Sequence, residues 1–137
     1  MVMTLAAATL ASPAPAAPAA NHGALATFAG TWIGHTRSLV IKRDGSAKES
    51  IGDGCCNPVI DLRLRLSRPH ATASGATATA RVTAVDVHDR SLFSKKHPPP
   101  RVGESRRIRV KHGVIHERIT GTTYCGRPAA RKGVCGA

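Results

Sequence analysis

The chain has 137 residues, which is enough for a single domain. Its net charge is +12, and residues 90–137 alone carry twelve basic and two acidic side chains, a net +10. A field of that sign in the C-terminal third attracts polyanions, whereas an aromatic content of only 3% speaks against proteins that read nucleic acid by stacking its bases.

The N-terminal stretch, residues 1–21, is rich in alanine and proline and carries no charge. It resembles a secretory signal peptide, with an apolar run over Val2–Ala11 and small-residue repeats that are typical of cleavage sites, although a basic n-region is missing. The alternative is a disordered Ala/Pro linker. The stretch is too short and too rich in proline for a membrane span. We therefore expect residues 22–137 to form a single exported β domain, secreted or associated with the cell envelope, with no transmembrane segment after processing.

Strand signals begin at Thr31–Arg43, and Asp44-Gly45 predicts a two-residue hairpin turn because both positions tolerate positive φ. The return strand is predicted over Ala47–Ile51. In Ile60–Ser67 the aliphatic side chains alternate with charged or polar ones, so the aliphatic face is predicted to lie in the core and the charged face in water.

Further along, Ser67–Gly75 is predicted to be a loop around Pro69. Thr77–Val87 reads as a long strand whose apolar parity shifts, which indicates a β-bulge. The following segment, His88–Val102, contains three consecutive prolines and is predicted to be a long connection, because proline lacks the amide donor that a central strand needs.

A second hairpin is predicted from Arg106–Lys111 and Val114–Thr120, with two open registers that pair Val110 with either Ile115 or Val114. Thr122–Cys125 is a candidate last strand. The short strands, the tight turns and the lack of helical periodicity predict an all-β domain, a small antiparallel barrel or sandwich of six to eight strands stapled by disulfides.

Four cysteines, Cys55, Cys56, Cys125 and Cys135, allow three pairings. A bond between the adjacent pair closes a strained ring, so the favoured arrangement ties each of Cys55 and Cys56 to one of the C-terminal two. Such long loops would contribute about 4–5 kcal/mol per bond in the loop-closure model. Zinc is disfavoured because no C-x2-C knuckle is present, and we expect no metal.

The segment Phe28–Gly34, which contains G-T-W-I-G, resembles the opening of lipocalin-like (calycin) barrels and of nitrobindin-type haem barrels. The resemblance implies a barrel whose closed end is plugged by Trp32, with an interior for a small apolar ligand or haem. In the haem barrels a histidine near the C-terminal end binds iron, and His116 is the candidate here. The chain as a whole also resembles small secreted bacterial proteins of the G-T-W…D-G…G-C-C kind.

Motifs for catalysis are missing: the sequence has no G-x-S-x-G, H-E-x-x-H, P-loop or Rossmann pattern. The expectation is a protein without catalysis and without a cofactor. An enzyme would require the fold to bring Ser91 within reach of a histidine.

A basic set is the remaining functional candidate, and three of its members share one face of the second hairpin at a spacing of about 7 Å. That spacing suits successive phosphate or carboxylate groups of an anionic polymer or cell-envelope surface, rather than sequence-specific nucleic acid. The set comprises Lys95, Lys96, Arg101, Arg106, Arg107, Arg109 and Lys111.

Overall fold

A computed structural model describes residues 20–135, with side chains from residue 23 onward. Eight antiparallel strands form a closed barrel in which each strand pairs with the next and β8 pairs with β1. This confirms the predicted all-β class and shows that the domain is a barrel rather than a sandwich. The strands are β1 Gly30–Gly34, β2 Arg37–Ile41, β3 Ser46–Gly52, β4 Pro58–Thr72, β5 Gly75–Val87, β6 Ser105–Lys111, β7 Val114–Glu117 and β8 Thr123–Cys125. Most of the predicted signal-peptide segment, residues 1–19, lies outside the described residues.

Two short helices flank the barrel: α1, Ala20–Phe28, precedes β1, and α2, Arg127–Arg131, follows β8. The sequence pattern predicts neither helix. The α1 segment carries almost no helical periodicity, and α1 is buried because it packs onto β4 and β5. Neither helix is long and apolar enough to cross a membrane.

The up-and-down topology gives the barrel two distinct ends. The capped end carries α1, α2 and the β2–β3, β4–β5 and β6–β7 turns, and Leu25 of α1 lies against Gly45 and Leu66 there. The loop end carries the β1–β2 turn, the β3–β4 loop at residues 53–57, the β5–β6 loop at residues 88–104 and the β7–β8 turn. Helices therefore close one end, and loops surround the other.

Aliphatic side chains fill the interior as their alternation predicts. Ile60, Leu62, Leu64 and Leu66 of β4 are all buried, whereas the charged residues between them face outward. Trp32 is also buried, and its indole Nε1 donates a hydrogen bond to the Phe28 carbonyl at 2.8 Å. The core position predicted for Trp32 is therefore confirmed.

The loop predicted at Ser67–Gly75 is wrong, because β4 continues as a strand to Thr72. Pairing runs Ser67 with Thr79 and then His70 with Thr77, so two residues of β4 oppose one of β5. Arg68 has φ +49°, and Pro69 falls in this bulge, where its missing amide costs no ladder hydrogen bond. Pro69 does interrupt the pairing of β4 with β5, as a proline predicts, but the interruption is a bulge and the strand continues beyond it.

Two other register predictions are settled by the pairing. The bulge expected in β5 is confirmed, since Arg63 pairs with Ala84 and Leu64 with Val82, which leaves Thr83 as the extra residue. In the second hairpin Val110 pairs with Ile115, which selects the two-residue turn at His112-Gly113.

The disulfide pairing expected from the sequence is wrong. Cys125 is bonded to Cys135, and Cys55 and Cys56 are not bonded to either. The physical reason is topological: Cys125 ends β8 at the capped end, whereas Cys55 and Cys56 occupy the β3–β4 loop at the loop end. The bond closes a loop with a sequence separation of only 10, and it fixes α2 beside β8 rather than joining the two hairpins.

We expect Cys135→Ser to lower the free energy of unfolding by about 2–3 kcal/mol, because the unfolded chain regains the entropy that the bond removes. This loss is smaller than for the bonds expected from the sequence, since the loop that Cys125–Cys135 closes is much shorter. Cys55→Ser, at an exposed and unbonded position, is the matched control and should change stability by less than about 0.5 kcal/mol. Urea denaturation of both variants measures the difference, and equal losses would contradict the role given to the bond.

Candidate functional site

The basic residues of the second hairpin lie on the outside of the barrel. Ile108 and Val110 of β6 are buried in the core, so the alternating Arg107, Arg109 and Lys111 project outward and are exposed. Three members of the predicted polyanion-binding set thus share one face, as the alternation indicates.

The other four members lie elsewhere. Lys95, Lys96 and Arg101 belong to the β5–β6 loop at the loop end of the barrel. Arg106 forms an ion pair with Glu104, with an Nη2–Oε1 distance of 3.2 Å. The structure therefore divides the predicted set into a strand group (Arg107, Arg109 and Lys111), a loop group (Lys95, Lys96 and Arg101), and Arg106, which lies in β6 but off the outward face.

Strand pairing extends the strand group across four neighbouring strands. Arg65 of β4 pairs directly with Arg81 of β5, and Arg109 of β6 pairs with His116 of β7. The outward basic residues of these four strands, together with Arg118, which follows β7, form a surface that we call the basic wall. It consists of Arg63, Arg65, Arg81, Arg107, Arg109, Lys111, His116 and Arg118, all of them exposed.

The charge of the basic wall is not neutralised by ion pairs. Arg65 and Arg81 are like charges directly opposite one another, an arrangement that destabilises a sheet. Among residues 20–135 the ion pairs involve the cations Lys48 and Arg106, His88 contacts Asp61 and Asp86, and no member of the wall takes part. The wall therefore presents a net positive field to an approaching anion, weakened beside Arg65 by the nearby carboxylate of Asp44.

A surface groove of about 460 Å³ runs along the β6–β7 part of the wall. Its lining contains hydroxyl groups from Thr72, Ser74 and Thr77 and no carboxylate. The basic side chains along it are Arg107, Arg109, Lys111, His116 and Arg118. Hydroxyl and guanidinium donors together are the groups that bind phosphate oxygens in proteins.

A second polar cluster lies inside the barrel. Glu49 of β3 and Glu117 of β7 are both buried, with 0% and 2% exposure. The Thr120 hydroxyl oxygen is 2.9 Å from Oε1 of Glu49 and 2.7 Å from Oε2 of Glu117, and the Tyr124 hydroxyl donates to the same Oε1 of Glu49. Nothing in the sequence pattern marks these two carboxyls as buried except their place in the strand alternation.

Geometry and burial both favour a proton on Glu49. Thr120 has a single hydroxyl proton and cannot donate to both carboxyls, and Oε2 of Glu49 is buried with no hydrogen-bond partner among the described residues, so a negative charge on Glu49 is poorly compensated. Burial, and then the negative charge of Glu117, raises the pKa of Glu49 from 4.5 to about 7. Burial followed by the adjacent Glu49 also raises the pKa of Tyr124, which keeps its hydroxyl a donor.

The loop end holds a cavity of about 640 Å³. Ile51, Ile60, Phe93 and Ile119 contribute apolar walls, and the three prolines of the β5–β6 loop lie across it. Charged side chains surround the apolar part: the cations Arg37, Lys96 and Arg101, and Glu104, whose carboxylate is paired with Arg106.

The two residues proposed from the family resemblance do not line this cavity. Trp32 pairs with Leu39 and packs beside Gly126, which places it toward the capped end. His116 is on the outer face, with its Nδ1 3.2 Å from the Thr123 hydroxyl oxygen. The expectation of a ligand cavity beside Trp32, with His116 as an internal ligand, is therefore not met.

Neither the pairing of Ser91 with a histidine nor a metal-binding cluster is formed in the described part of the chain. The Ser91 hydroxyl donates to Asp89 Oδ1 at 2.6 Å and forms no hydrogen bond with a histidine. Residues 20–135 contain no group of three or more histidine, cysteine, aspartate or glutamate side chains placed to hold a metal ion.

Comparison with known proteins gives this chain no family. No protein-family model, curated protein or solved structure matches it. The class of the molecule is therefore defined by its fold, a closed eight-stranded antiparallel barrel with one capped end, together with its basic wall.

Proposed function

We propose that the protein is a non-catalytic binding module whose basic wall engages an anionic polymer bearing phosphate or carboxylate groups. The single observation that carries the proposal is the run of outward cations over β4–β7 without ion-pair partners. A bound polyanion would relieve the repulsion between the facing Arg65 and Arg81.

The arrangement suits an extended polymer better than a single small anion. Alternate residues on one strand face are about 7 Å apart, so Arg107, Arg109 and Lys111 can contact successive charged groups along a chain. The groove beside them contains donors but no phenylalanine, tyrosine or tryptophan for base stacking. Binding through charge and hydroxyl donors, independent of base sequence, follows from this composition.

Location outside the cytoplasm is part of the same proposal. The Cys125–Cys135 bond supports it, because disulfides persist mainly in oxidising compartments. The anionic partner would then be a cell-envelope or extracellular polymer. N-terminal sequencing of the protein recovered from its native source tests this, and a mature chain that retains residues 1–21 inside the cytoplasm would contradict it.

Salt dependence of binding to linear polyphosphate tests the proposed function. If about five contacts form, the slope of log K against log salt should be about −3.5, which corresponds to a loss of about 100-fold in affinity between 50 and 200 mM salt. Fluorescence anisotropy of a labelled polyphosphate measures it. An affinity that does not change over this range would exclude electrostatic binding by the wall.

A second candidate function is the binding of a small amphipathic anion in the loop-end cavity. The closed barrel and the G-T-W-I-G segment support a calycin-like protein, and the cavity volume of about 640 Å³ lies within the range of ligand sites. Its apolar wall and its surrounding cations favour a ligand with an apolar body and one anionic group. The occupied end would be the one opposite α1.

We expect Ile119→Trp, which fills the cavity, to weaken binding of an anilinonaphthalene sulfonate probe by at least about 10-fold. Val40→Trp is the matched control, because Val40 is exposed on the outer face of β2 and does not line the cavity. Probe fluorescence gives the affinities, and equal affinities of the two variants would rule the cavity out as the probe site.

A further inference from the structure

The adjacent cysteines of the β3–β4 loop are arranged unlike neighbouring residues of an extended chain. Successive side chains in a strand point to opposite faces, yet the Sγ atoms of Cys55 and Cys56 are only 2.6 Å apart. Both residues are exposed, and both are free. The loop therefore directs two accessible sulfur atoms toward each other.

A compact network holds the loop in this shape. Asp53 Oδ1 accepts the backbone N–H groups of Cys55, Cys56 and Asn57 at 2.9, 3.1 and 3.2 Å. The Asn57 side chain donates to Asp53 Oδ2 at 2.8 Å, and the Asp53 amide donates to the Asn57 carbonyl at 3.1 Å. Gly54 supplies the positive φ, +95°, that the tight turn requires. The conformation is thus fixed by groups other than the two thiols.

No other described cysteine competes for these sulfur atoms. Cys125 and Cys135 are bonded to each other at the capped end, and Cys125 is buried. A cavity of about 450 Å³ lies beside the pair, between the loop and the β1–β2 turn. A small molecule can therefore reach Cys55 and Cys56 from solvent.

We infer that Cys55 and Cys56 form a reversible vicinal disulfide by exchange with a low-molecular-weight disulfide. One thiolate attacks the small disulfide and releases one small thiol, and the second cysteine then attacks the mixed disulfide and releases the other. The two cysteines lose two protons and two electrons and gain one S–S bond. The small disulfide gains them and leaves as two thiols.

The ring strain that disfavours such a bond is offset here by the fixed loop. The entropy of bringing the two sulfur atoms together is already lost when Asp53 orders the loop, so the exchange begins from apposed atoms. Exposed disulfides are more easily reduced than buried ones, so this bond should open before Cys125–Cys135 does. The pair is therefore a redox modification site separate from the basic wall.

The test is a digest of the folded protein after exposure to oxidised glutathione and alkylation with iodoacetamide. Trypsin releases residues 49–63 as one peptide that contains both cysteines and no others. We expect this peptide to carry no label and to be lighter than the reduced peptide by two hydrogen atoms. In a graded series of reductant concentrations, it should gain two labels before the peptides of Cys125 and Cys135 gain any.

Cys55→Ser is the control variant, because Cys56 then lacks a partner and should carry one label or one glutathione. Two labels or two glutathione adducts on the wild-type peptide after oxidation would overturn the inference. So would a cross-link from this peptide to Cys125 or Cys135. The outcome does not depend on polyanion binding, so failure here leaves the proposed function standing.

Discussion

Glu49→Gln is expected to stabilise the protein at pH 8 by about 3 kcal/mol and to leave its stability at pH 4 nearly unchanged. Burial raises the pKa of the folded Glu49 to about 7, against 4.5 without burial. Below about pH 4.5 both the folded and the unfolded states hold the proton. Between 4.5 and 7 only the folded state holds it, so the free energy of unfolding falls as the pH rises through this window. The substituted amide mimics the protonated carboxyl and removes that loss.

Urea denaturation of the wild type and the variant from pH 4 to pH 8 gives the difference profile. Glu104→Gln is the matched control, because Glu104 lies on the rim with its carboxylate paired to Arg106 rather than buried. Its difference profile should lack the rise between pH 4.5 and 7. If Glu49→Gln lowers stability at pH 8, the buried carboxyl is held in its charged form and the protonated state inferred for Glu49 is wrong.

Removing three charges from the basic wall is expected to weaken polyphosphate binding by about 100-fold at 0.1 M salt. The variant carries Arg107→Gln, Arg109→Gln and Arg118→Gln, all at exposed positions on the groove. Each lost phosphate contact releases about 0.7 fewer counterions, so the slope of log K against log salt should become shallower by about 2. Fluorescence anisotropy at several salt concentrations measures both quantities.

The matched control removes the same number of charges from the loop group, with Lys95→Gln, Lys96→Gln and Arg101→Gln. Net charge is then identical in the two variants, and only its position differs. We expect the control to weaken binding by less than about 10-fold through the long-range field alone. Equal losses would show that net charge, rather than the arrangement of the wall, determines binding.

The strand pattern predicted much of the barrel because most strands are half-buried and alternate cleanly. Ile60–Ser67 is an example in which the local signal and the final structure agree. The Asp44-Gly45 turn lies where the sequence predicts it, but Ile41 pairs with Ala47, so the hairpin loop has three residues, 43–45, rather than two. The longer element predicted from Thr31 is divided by a turn at residues 35–36, where Thr36 has φ +57°. Gly34 directly precedes that turn, but the positive φ falls on Thr36, a β-branched residue that rarely adopts it, so the residue types did not indicate the turn.

Contacts between distant parts of the chain could be predicted far less well. The sequence pattern does not place Arg65 opposite Arg81 or Arg81 diagonally across from Arg107, because both neighbourhoods depend on strand register across β4, β5 and β6. The burial of Glu49 against Tyr124, 75 residues away in sequence, has the same cause. The disulfide prediction is wrong because it rests on the ring strain of a Cys55–Cys56 bond alone, whereas an up-and-down barrel places the β3–β4 loop and the end of β8 at opposite ends.

The most direct test of the central claim is a titration of isotope-labelled protein with short polyphosphate, followed by amide chemical shifts. The basic wall predicts shifts that saturate at residues of β6 and β7 around Arg109 and His116, extend to Arg81, and reverse when salt is added. Shifts centred on the loop that contains Lys95 and Arg101, or no saturable shifts at low salt, would contradict the account.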